Sequence, residues 1–593
     1  MLQPATASSV IGDFSKPSVV LHGNRFQLRS ANGEFFIAES FLTGKLQEHR
    51  VEYTLGSRRI QHYLTTIDKG WIVVLPPSWD VQRQAWFDNM DIVRPGKTKG
   101  TPIQQWNKDC VGCHVSGEDK NYRGESQDYR TRWTDFGTTC ERCHGPGRAH
   151  IDAYSDSRHT RPVGERLIVK PTRLDPATSS MICAQCHSLR NVINPGYQAG
   201  DNYFDFFMPR LEYDPGTDRE LPYWPDGRPR RFSNDAIGLW QSACFRRGGA
   251  TCTTCHQNAH EPNVDRNPRL AAGNNALCSQ CHREIGQQLT AHTRHAADSP
   301  GSACVECHMP KTVISINATM RDHTISLPAP ENTAALGIPN ACTECHADRK
   351  PAWAVDVLKS WWPNGRRARL VERAQAFSAA RKTAPEALEP LIRIAADAGA
   401  GPLIQATAVG YLRHYSQPAA VVALLAAARA GDPAVRAAAI ASLGDAEDAG
   451  RPGATRTAVI GALSDRRRAV RIAALVSLIN GRGSALAPPD AERLQSVGHE
   501  FAALSSLYAD DPGFDRDLGL VYFVGADFDR AAAMLQLALR LDPQGPSTAF
   551  LLALARLGQG QTAEARALLE QVSPSDPSYG PARKRLEQLG RPR

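Results

Sequence analysis

The word Cys-x-x-Cys-His occurs seven times between residues 110 and 346, and no other feature constrains the fold of this chain as strongly. Fourteen of the fifteen cysteines belong to these words. Three residues of spacing place the two thiols one helical turn apart, with an imidazole directly after the second thiol. The seven words are Cys110-Val-Gly-Cys113-His114, Cys140-Glu-Arg-Cys143-His144, Cys183-Ala-Gln-Cys186-His187, Cys252-Thr-Thr-Cys255-His256, Cys278-Ser-Gln-Cys281-His282, Cys304-Val-Glu-Cys307-His308 and Cys342-Thr-Glu-Cys345-His346.

This word has the chemistry of a c-type haem attachment site. Each thiol bonds one vinyl-derived carbon of the same porphyrin, and the adjacent imidazole then lies under the iron as proximal ligand. A disulfide scaffold would not place a histidine after every second cysteine, and zinc ribbons would pair such words to complete a tetrahedron. A thioredoxin-like motif would occur once, beside a βαβ pattern. We therefore predict seven haems c per chain, attached to the fourteen motif cysteines, with the seven motif histidines as proximal ligands.

Histidines outside the words are candidates for the second axial ligand, because a low-spin bis-histidine haem needs two imidazoles. His150 and His260 follow their own words by six and four residues, so we expect each to serve an adjacent haem. His292 and His295 lie three residues apart on a predicted helix, and His323 follows Arg-Asp. The remaining candidates in the first 350 residues are His22, His49, His62 and His159, and for each candidate an ordinary surface or core histidine is the alternative.

The organisation of the chain is predicted to be multidomain. Residues 1–95 form a small β-rich module, with hairpin turns at Asn32-Gly33 and at Asp68-Lys-Gly70. Residues 96–350 form the multihaem domain, in which loops and short helices wrap porphyrins that supply the core. Within that domain, the aromatic and glycine-rich stretch 196–235 is predicted to be a surface loop that covers haem edges.

Repeated helices are predicted after residue 350. Residues 351–398 form a helical connector. Residues 399–485 have a HEAT-like period, because Val435 and Val470 occupy equivalent places thirty-five residues apart. Residues 490–590 are tetratricopeptide-like, since Asp542-Pro543 returns as Asp576-Pro577 at an offset of thirty-four. The tail is thus predicted to be an α-solenoid, which either docks a partner or only stabilises the chain.

Several of these segments together resemble a known family. The words followed by Gly-Pro-Gly at 145–147 and by Met309-Pro310, the Arg321-Asp322-His323 element and the helical tail are similar to bacterial multihaem cytochromes c with HEAT or tetratricopeptide tails, of the cytochrome c-prime-like group. Members usually begin with a signal peptide and one further haem word. Met1-Leu-Gln-Pro-Ala has neither a basic nor an apolar run, so we expect that a leader has been removed or that the start is misplaced.

Composition and chemistry restrict the remaining function classes. The net charge of +8 is modest for 593 residues and no dense basic block is present, so nucleic-acid binding is not supported. No apolar run has membrane-spanning length. Haem c is attached after export, so we expect a periplasmic or extracellular protein. We predict an electron carrier with protein redox partners. The alternatives are an oxidoreductase for a small nitrogen or sulfur species, and a structural or assembly subunit that associates through the repeat tail.

Overall fold

Two antiparallel sheets form the N-terminal part of the chain, in a computed structural model that describes residues 1–40, 44–89, 91, 104–155, 167–211, 222–230, 234–257, 259–261, 267–271, 273–315, 318–363, 365–445, 453–480 and 486–590. The five-stranded sheet has the order β1-β6-β7-β8-β9, and the four-stranded sheet has the order β2-β3-β4-β5. The strands are β1 Leu2–Pro4, β2 Ser18–Leu21, β3 Asn24–Ala31, β4 Glu34–Glu39, β5 Gln47–Arg50, β6 Tyr53–Leu55, β7 Ile60–Ile67, β8 Trp71–Asp80 and β9 Ala85–Asp88.

Both predicted hairpins of this β-rich module are confirmed. Asn32 and Gly33 join β3 to β4 with positive φ angles of 52° and 79°, which favour the tight turn found between two strands. The segment 68–70 joins β7 to β8, where Ile67 is opposite Trp71. Alternating residues of the strands then pack their apolar side chains into a core that includes Phe26 and Trp79.

The seven haem words lie in a region of short elements. Its helices are α1 Trp106–Asp109, α2 Val111–His114, α3 Cys140–His144, α4 Arg148–Ser155, α5 Pro176–Ala184, α6 Asp235–Gln241, α7 Ala243–Gly248, α8 Cys252–Cys255, α9 Ala276–Ser279, α10 Arg283–Gln287, α11 Leu289–Thr293, α12 Cys304–His308, α13 Pro330–Leu336 and α14 Ala341–Cys345. Its strands form two-residue to five-residue hairpins, namely β10 Val115–Ser116, β11 Tyr122–Arg123, β12 Asp128–Tyr129, β13 Asp135–Phe136, β14 Arg190–Val192, β15 Phe207–Pro209, β16 Lys311–Ser315 and β17 Ala318–Arg321.

Apolar packing is very uneven within this region. Among the residues from 241 to 340 whose burial the structure describes, the buried apolar side chains are Ala303, Pro310, Pro330 and Ile338. The stretch 196–235, by contrast, is not the predicted surface loop, because Tyr203, Phe204 and Tyr223 are buried. These rings share one hydrophobic core with helices of the tail. The tail helices therefore cover the side of this stretch that we expected to be exposed at haem edges.

The C-terminal part consists of stacked helices. These are α15 Pro351–Trp361, α16 Ala368–Ala380, α17 Leu388–Ala396, α18 Pro402–Leu412, α19 Pro418–Ala427, α20 Pro433–Asp445, α21 Ala454–Ala462, α22 Arg468–Asn480, α23 Pro488–Ala502, α24 Pro512–Val524, α25 Phe528–Leu541, α26 Thr548–Gly558, α27 Thr562–Glu570 and α28 Tyr579–Gly590. Alternate helices pack side by side, α18 on α20, α20 on α22 and α22 on α24. The helical tail is therefore confirmed, and α20 and α22 are the two copies that the thirty-five-residue period predicted.

One large core joins this tail to the haem-word region. It runs from Met181 and Ile237 through Leu403 to Leu520, whereas α25–α28 pack in two smaller clusters of their own. No helix in the described ranges is long and apolar enough to cross a membrane. The helices from α17 to α24 are thus part of one body with the third haem word, rather than a separate tail.

Candidate functional site

Each haem word adopts about one turn of helix. The histidine backbone N–H donates to the carbonyl of the first cysteine, for example from His187 to Cys183 and from His346 to Cys342, both at 2.9 Å. This i to i−4 bond places the imidazole one turn beyond the first thiol. Local sequence alone produces this arrangement, because the five residues need no distant partner to adopt it.

Four pairs of imidazoles face each other, and each pair joins a motif histidine to a histidine outside the words. The rings are close to parallel in three pairs and tilted in the fourth, which joins His346 to His295. The ring centroids of His144 and His260 are 6.0 Å apart at 15°, those of His256 and His323 are 6.3 Å apart at 26°, those of His308 and His292 are 6.3 Å apart at 20°, and those of His346 and His295 are 6.3 Å apart at 37°.

This separation fits one iron between two imidazoles. Because an imidazole nitrogen binds a transition metal at about 2 Å and the ring centre lies roughly 1 Å further back, one metal atom holds the two ring centres about 6 Å apart. Aromatic rings in ordinary contact also have centroids about 4.5–7 Å apart, so the stronger indication is that each of the four pairs joins a motif histidine to a histidine outside the words. The four pairs therefore have the spacing of axial ligands on a shared iron.

The outer ring nitrogens of these histidines are held by acceptors. His144 Nδ1 donates to the carbonyl of Val169 at 2.7 Å, and His308 Nδ1 donates to that of Ser326 at 2.9 Å. His295 Nδ1 donates to the carbonyl of Thr293 at 2.6 Å. Protonation at Nδ1 leaves Nε2 as the free lone pair, and the bond fixes the orientation of the ring.

Asp235 is a site residue that sequence reasoning missed. Its Oδ2 accepts from His187 Nδ1 at 2.9 Å, and its Oδ1 lies 3.2 Å from His323 Nδ1, which is also 3.0 Å from the carbonyl of Arg321. Burial opposes ionisation of this carboxyl, but the hydrogen bonds from the two histidines outweigh it and hold the pKa of Asp235 well below its usual range. Nothing in the sequence around Asp235 indicates these partners, since His187 is 48 residues away and the contact arises only from packing.

Three tryptophans near the last two words were also missed. Trp362 lies 5.5 Å from His292, Trp361 lies 6.0 Å from His295, and Trp353 lies 4.9 Å from His346, measured between ring centroids. All three belong to α15 or to the residue after it. The only sequence signal was their position, because the helix begins five residues after His346.

The motif histidines of the first, third and fifth words have other surroundings. His114 is buried near His62, and burial lowers the pKa of each imidazole to about 4, with further charge contributions from neighbouring groups. His62 lies in β7, where its Nδ1 is 2.7 Å from Ser78 Oγ. His187 is bound to Asp235, and His282 lies between α9 and α10.

The other candidate ligands are placed elsewhere. His22 Nε2 is 2.8 Å from Asp91, and His49 Nε2 is 3.0 Å from the buried Glu39 within the N-terminal sheets. The ring of His150 packs 4.7 Å from that of Tyr154 on α4. His159 lies outside the described residues. In the part of the chain that the structure describes, these histidines are not brought face to face with a motif histidine.

Cysteines of different words contact each other. The thiols of Cys113 and Cys186 are hydrogen-bonded, which joins the first and third words. The third word contacts the fourth through Cys183 and Cys252. The fifth contacts the sixth through Cys278 and Cys304. The words therefore form close neighbours in an order that differs from their order in the chain.

Three family models match parts of this chain. The model of cytochrome c554 and c-prime matches residues 85–145, which contain the first two words, and the doubled CXXCH motif matches residues 245–287, which contain the fourth and fifth. The tetratricopeptide repeat matches residues 526–589, where α25–α28 lie. A search of curated proteins found no match. These matches support a multihaem cytochrome c that binds haem c and has tetratricopeptide repeats in its C-terminal part.

Proposed function

We propose that this protein carries electrons along a series of seven covalently bound haems c, most of them with two histidine ligands. The observation that supports this most strongly is the set of four facing imidazole pairs at 6.0 to 6.3 Å. When bound, each haem iron takes up and releases one electron. Two axial imidazoles fill both open positions of an iron, which favours electron transfer over substrate binding.

The fourteen motif cysteines are the thioether ligands in this proposal, and the seven motif histidines are the proximal ligands. The distal ligand is His260 for the second word, His323 for the fourth, His292 for the sixth and His295 for the seventh. His62 is proposed for the first word, since it is buried beside His114. The other predicted candidates, His22, His49, His150 and His159, stay predictions, to be tested for the third and fifth words.

The contacts between words suggest the route. The first, third and fourth words adjoin one another, and the fifth adjoins the sixth. Cys143 lies near Cys183, which adds the second word to the first group, and Cys307 lies near Cys342, which adds the seventh to the second group. We propose that Cys244, which lies near Cys255 and Cys281, marks the junction of the two groups.

The domain layout belongs to the same proposal. We assign residues 1–95 to a β-rich module, 96–350 to the haem domain, 351–398 to a helical connector, 399–485 to HEAT-like repeats and 490–590 to tetratricopeptide-like repeats. Because α25–α28 pack in clusters of their own, the last repeats are the part available to dock a redox partner or a second cytochrome subunit. The chemistry of thioether attachment supports a periplasmic or extracellular location.

Mass spectrometry and ligand titration test this function together. The denatured, mature chain should carry seven haem mass increments, and fewer than six would defeat the proposed count. The reduced protein should bind carbon monoxide at no more than about two haems. Carbon monoxide binding at four or more haems, or turnover of nitrite or hydroxylamine under the same conditions, would favour the oxidoreductase instead.

A further inference from the structure

Asp235 lies between His187, the motif histidine of the third word, and His323, a histidine outside the words that faces the fourth word. Its Oδ2 accepts from His187 Nδ1 at 2.9 Å, and its Oδ1 faces His323 Nδ1 at 3.2 Å. The same His323 Nδ1 is also 3.0 Å from the carbonyl of Arg321, so the carboxylate adds its charge to a backbone acceptor at this ring. His187 is the histidine of the third word, whereas His323 faces His256 of the fourth word at 6.3 Å. The third and fourth words also touch through the thiols of Cys183 and Cys252, so the two sites are direct neighbours.

The helix that carries Asp235 is fixed on several sides. The Ala236 N–H donates to the carbonyl of His187 at 3.1 Å, and Trp240 Nε1 donates to Ser180 Oγ at 2.7 Å. Gly238 passes so close to the segment of His323 that an added Cβ would lie 3.1 Å from the Cβ of that histidine. The carboxylate is therefore held in place by packing against both neighbouring words, and a side chain at position 238 would push His323 away.

A carboxylate differs from the acceptors at the other words. His144 and His308 donate to neutral backbone carbonyls, which hold the ring but carry no charge. A carboxylate accepts the same bond and adds a negative charge, which makes the imidazole a stronger donor to iron and stabilises the oxidised metal. Its two oxygens can also accept from two N–H groups at once, whereas an amide offers one oxygen only.

We propose that Asp235 is a positioning residue shared by two haem sites, which orients the axial imidazoles of His187 and His323 and lowers the reduction potentials of both irons together. The inference rests on the proposed function, because it assigns these histidines to the third and fourth irons. As a consequence, a change at Asp235 shifts the reduction potentials of both adjacent irons together. The potentials of irons whose histidines donate only to backbone carbonyls are set independently.

The test is a spectroelectrochemical titration of the mature protein and of Asp235→Asn. The amide removes the charge and can accept from only one of the two histidines. We expect two of the seven reduction steps to shift in favour of the reduced state by about tenfold in equilibrium constant, which is 59 mV for a one-electron couple. The Asp235→Glu chain keeps the charge and should shift both steps less. Asp205→Asn is the control, because Asp205 accepts from Arg467 on the tail rather than from a histidine.

The outcomes separate this inference from the proposed function. A low-spin Asp235→Asn protein in which no step moves, or only one, overturns the shared role and leaves the function standing. High-spin haems at these sites in the unmodified protein would overturn the function itself. If the Asp235→Asn chain does not take up its haems, the near-infrared bands of the oxidised unmodified protein provide the test of the inference. Two haems should absorb apart from the others because their imidazoles carry more negative charge, and seven equivalent bands would overturn the inference.

Discussion

The segment from 250 to 345 and the helices from 402 to 480 differ strongly in how many apolar side chains they bury. The first holds three complete haem words and the two cysteines of the seventh, yet its described buried apolar side chains are few and mostly small, namely Ala303, Pro310, Pro330, Ile338 and Ala341. The second buries Leu412, Val409 and Leu475 almost completely in a continuous core. A chain needs such burial to offset the conformational entropy lost on folding.

The comparison teaches where the stability of each part comes from. The helices are stabilised by packing of their own apolar faces. The segment 250–345 needs the porphyrins as its apolar interior, and the thioether and axial bonds to hold it together. The third word is intermediate, because α5 and α6 pack in the same core as the tail helices. Dependence on haem should therefore differ sharply along a single chain.

Production of the chain without haem attachment should give the largest difference in protease protection between the two regions. We expect the segment 250–345 to be cleaved rapidly by protease, because nothing else fills its interior, while the helices from 402 to 480 remain protected. Limited proteolysis followed by mass spectrometry of the fragments measures this. The mature protein, treated in the same way, is the control. Equal protection of both segments without haem would contradict the contrast.

Truncation of an apolar side chain should lower the free energy of unfolding much more in the helices than in the segment 250–345. Leu475→Ala removes a side chain with no exposed surface from α22, so the free energy of unfolding should fall by about 2–5 kcal/mol. Ile285→Ala, at a residue that is 36% exposed on α10, should change it by less than about 0.5 kcal/mol. Chemical denaturation followed by helical circular dichroism gives both values. Similar losses at the two positions would indicate that both regions are packed alike.

A buried acid on α24 should make the stability of the helical region depend on pH. Burial raises the pKa of Asp515 to about 7, and the carboxylates of Asp511 and Asp510 add to the shift. In the unfolded chain the same carboxyl titrates near pH 4, at about 3.9. The folded state thus holds the proton more tightly, and stability falls as pH rises from about 4 to about 7.

Asp515→Asn should remove this dependence. The free energy of unfolding should rise by about 1–3 kcal/mol at pH 8 and change little at pH 4, where the carboxyl is protonated in both states. Thermal or chemical unfolding at the two pH values measures the difference. Asp529→Asn, on the exposed face of α25, serves as the control. A gain of the same size at both pH values would show that the proton is not the cause.

The smallest effect is expected at a seam between the haem-word region and the helical tail, formed by Val192 and Tyr508. The Tyr508 hydroxyl accepts from the Val192 N–H at 2.9 Å and donates to the Val192 carbonyl at 2.8 Å, which ties the segment between α23 and α24 to strand β14. Tyr508→Phe should lower the free energy of unfolding by about 1 kcal/mol and leave the haem spectrum unchanged. Tyr579→Phe in α28 is the matched control. A spectral change would mean that the seam positions haem ligands.

Sequence reasoning was strongest where the signal is local. The haem words, the two hairpin turns and the repeated helices α20 and α22 each follow from a few consecutive residues or a fixed period. Features that depend on packing between distant segments were not predictable. The burial of Tyr203 under the tail and the contact of Asp235 with two words both lie between residues far apart in the chain.

The histidines illustrate both cases. His260, His292, His295 and His323 were predicted as candidates by type and position, but the sequence did not say which word each one would face. The pairing of His256 with His323 joins residues that are separated by two complete haem words. Such pairings are set by how short helices fold around the cofactor, and no periodic pattern encodes them.

The most direct test of the central claim is the spin state of the mature His323→Ala protein. If His323 and His256 share an iron, the loss of one imidazole should convert one haem of the proposed seven to a high-spin form that binds carbon monoxide, while the other haems stay unchanged. His414→Ala, in the helical tail, should leave the spectrum as it was. A low-spin His323→Ala protein with no new carbon monoxide binding would contradict the account, because the facing imidazoles would then not be ligands of a common iron.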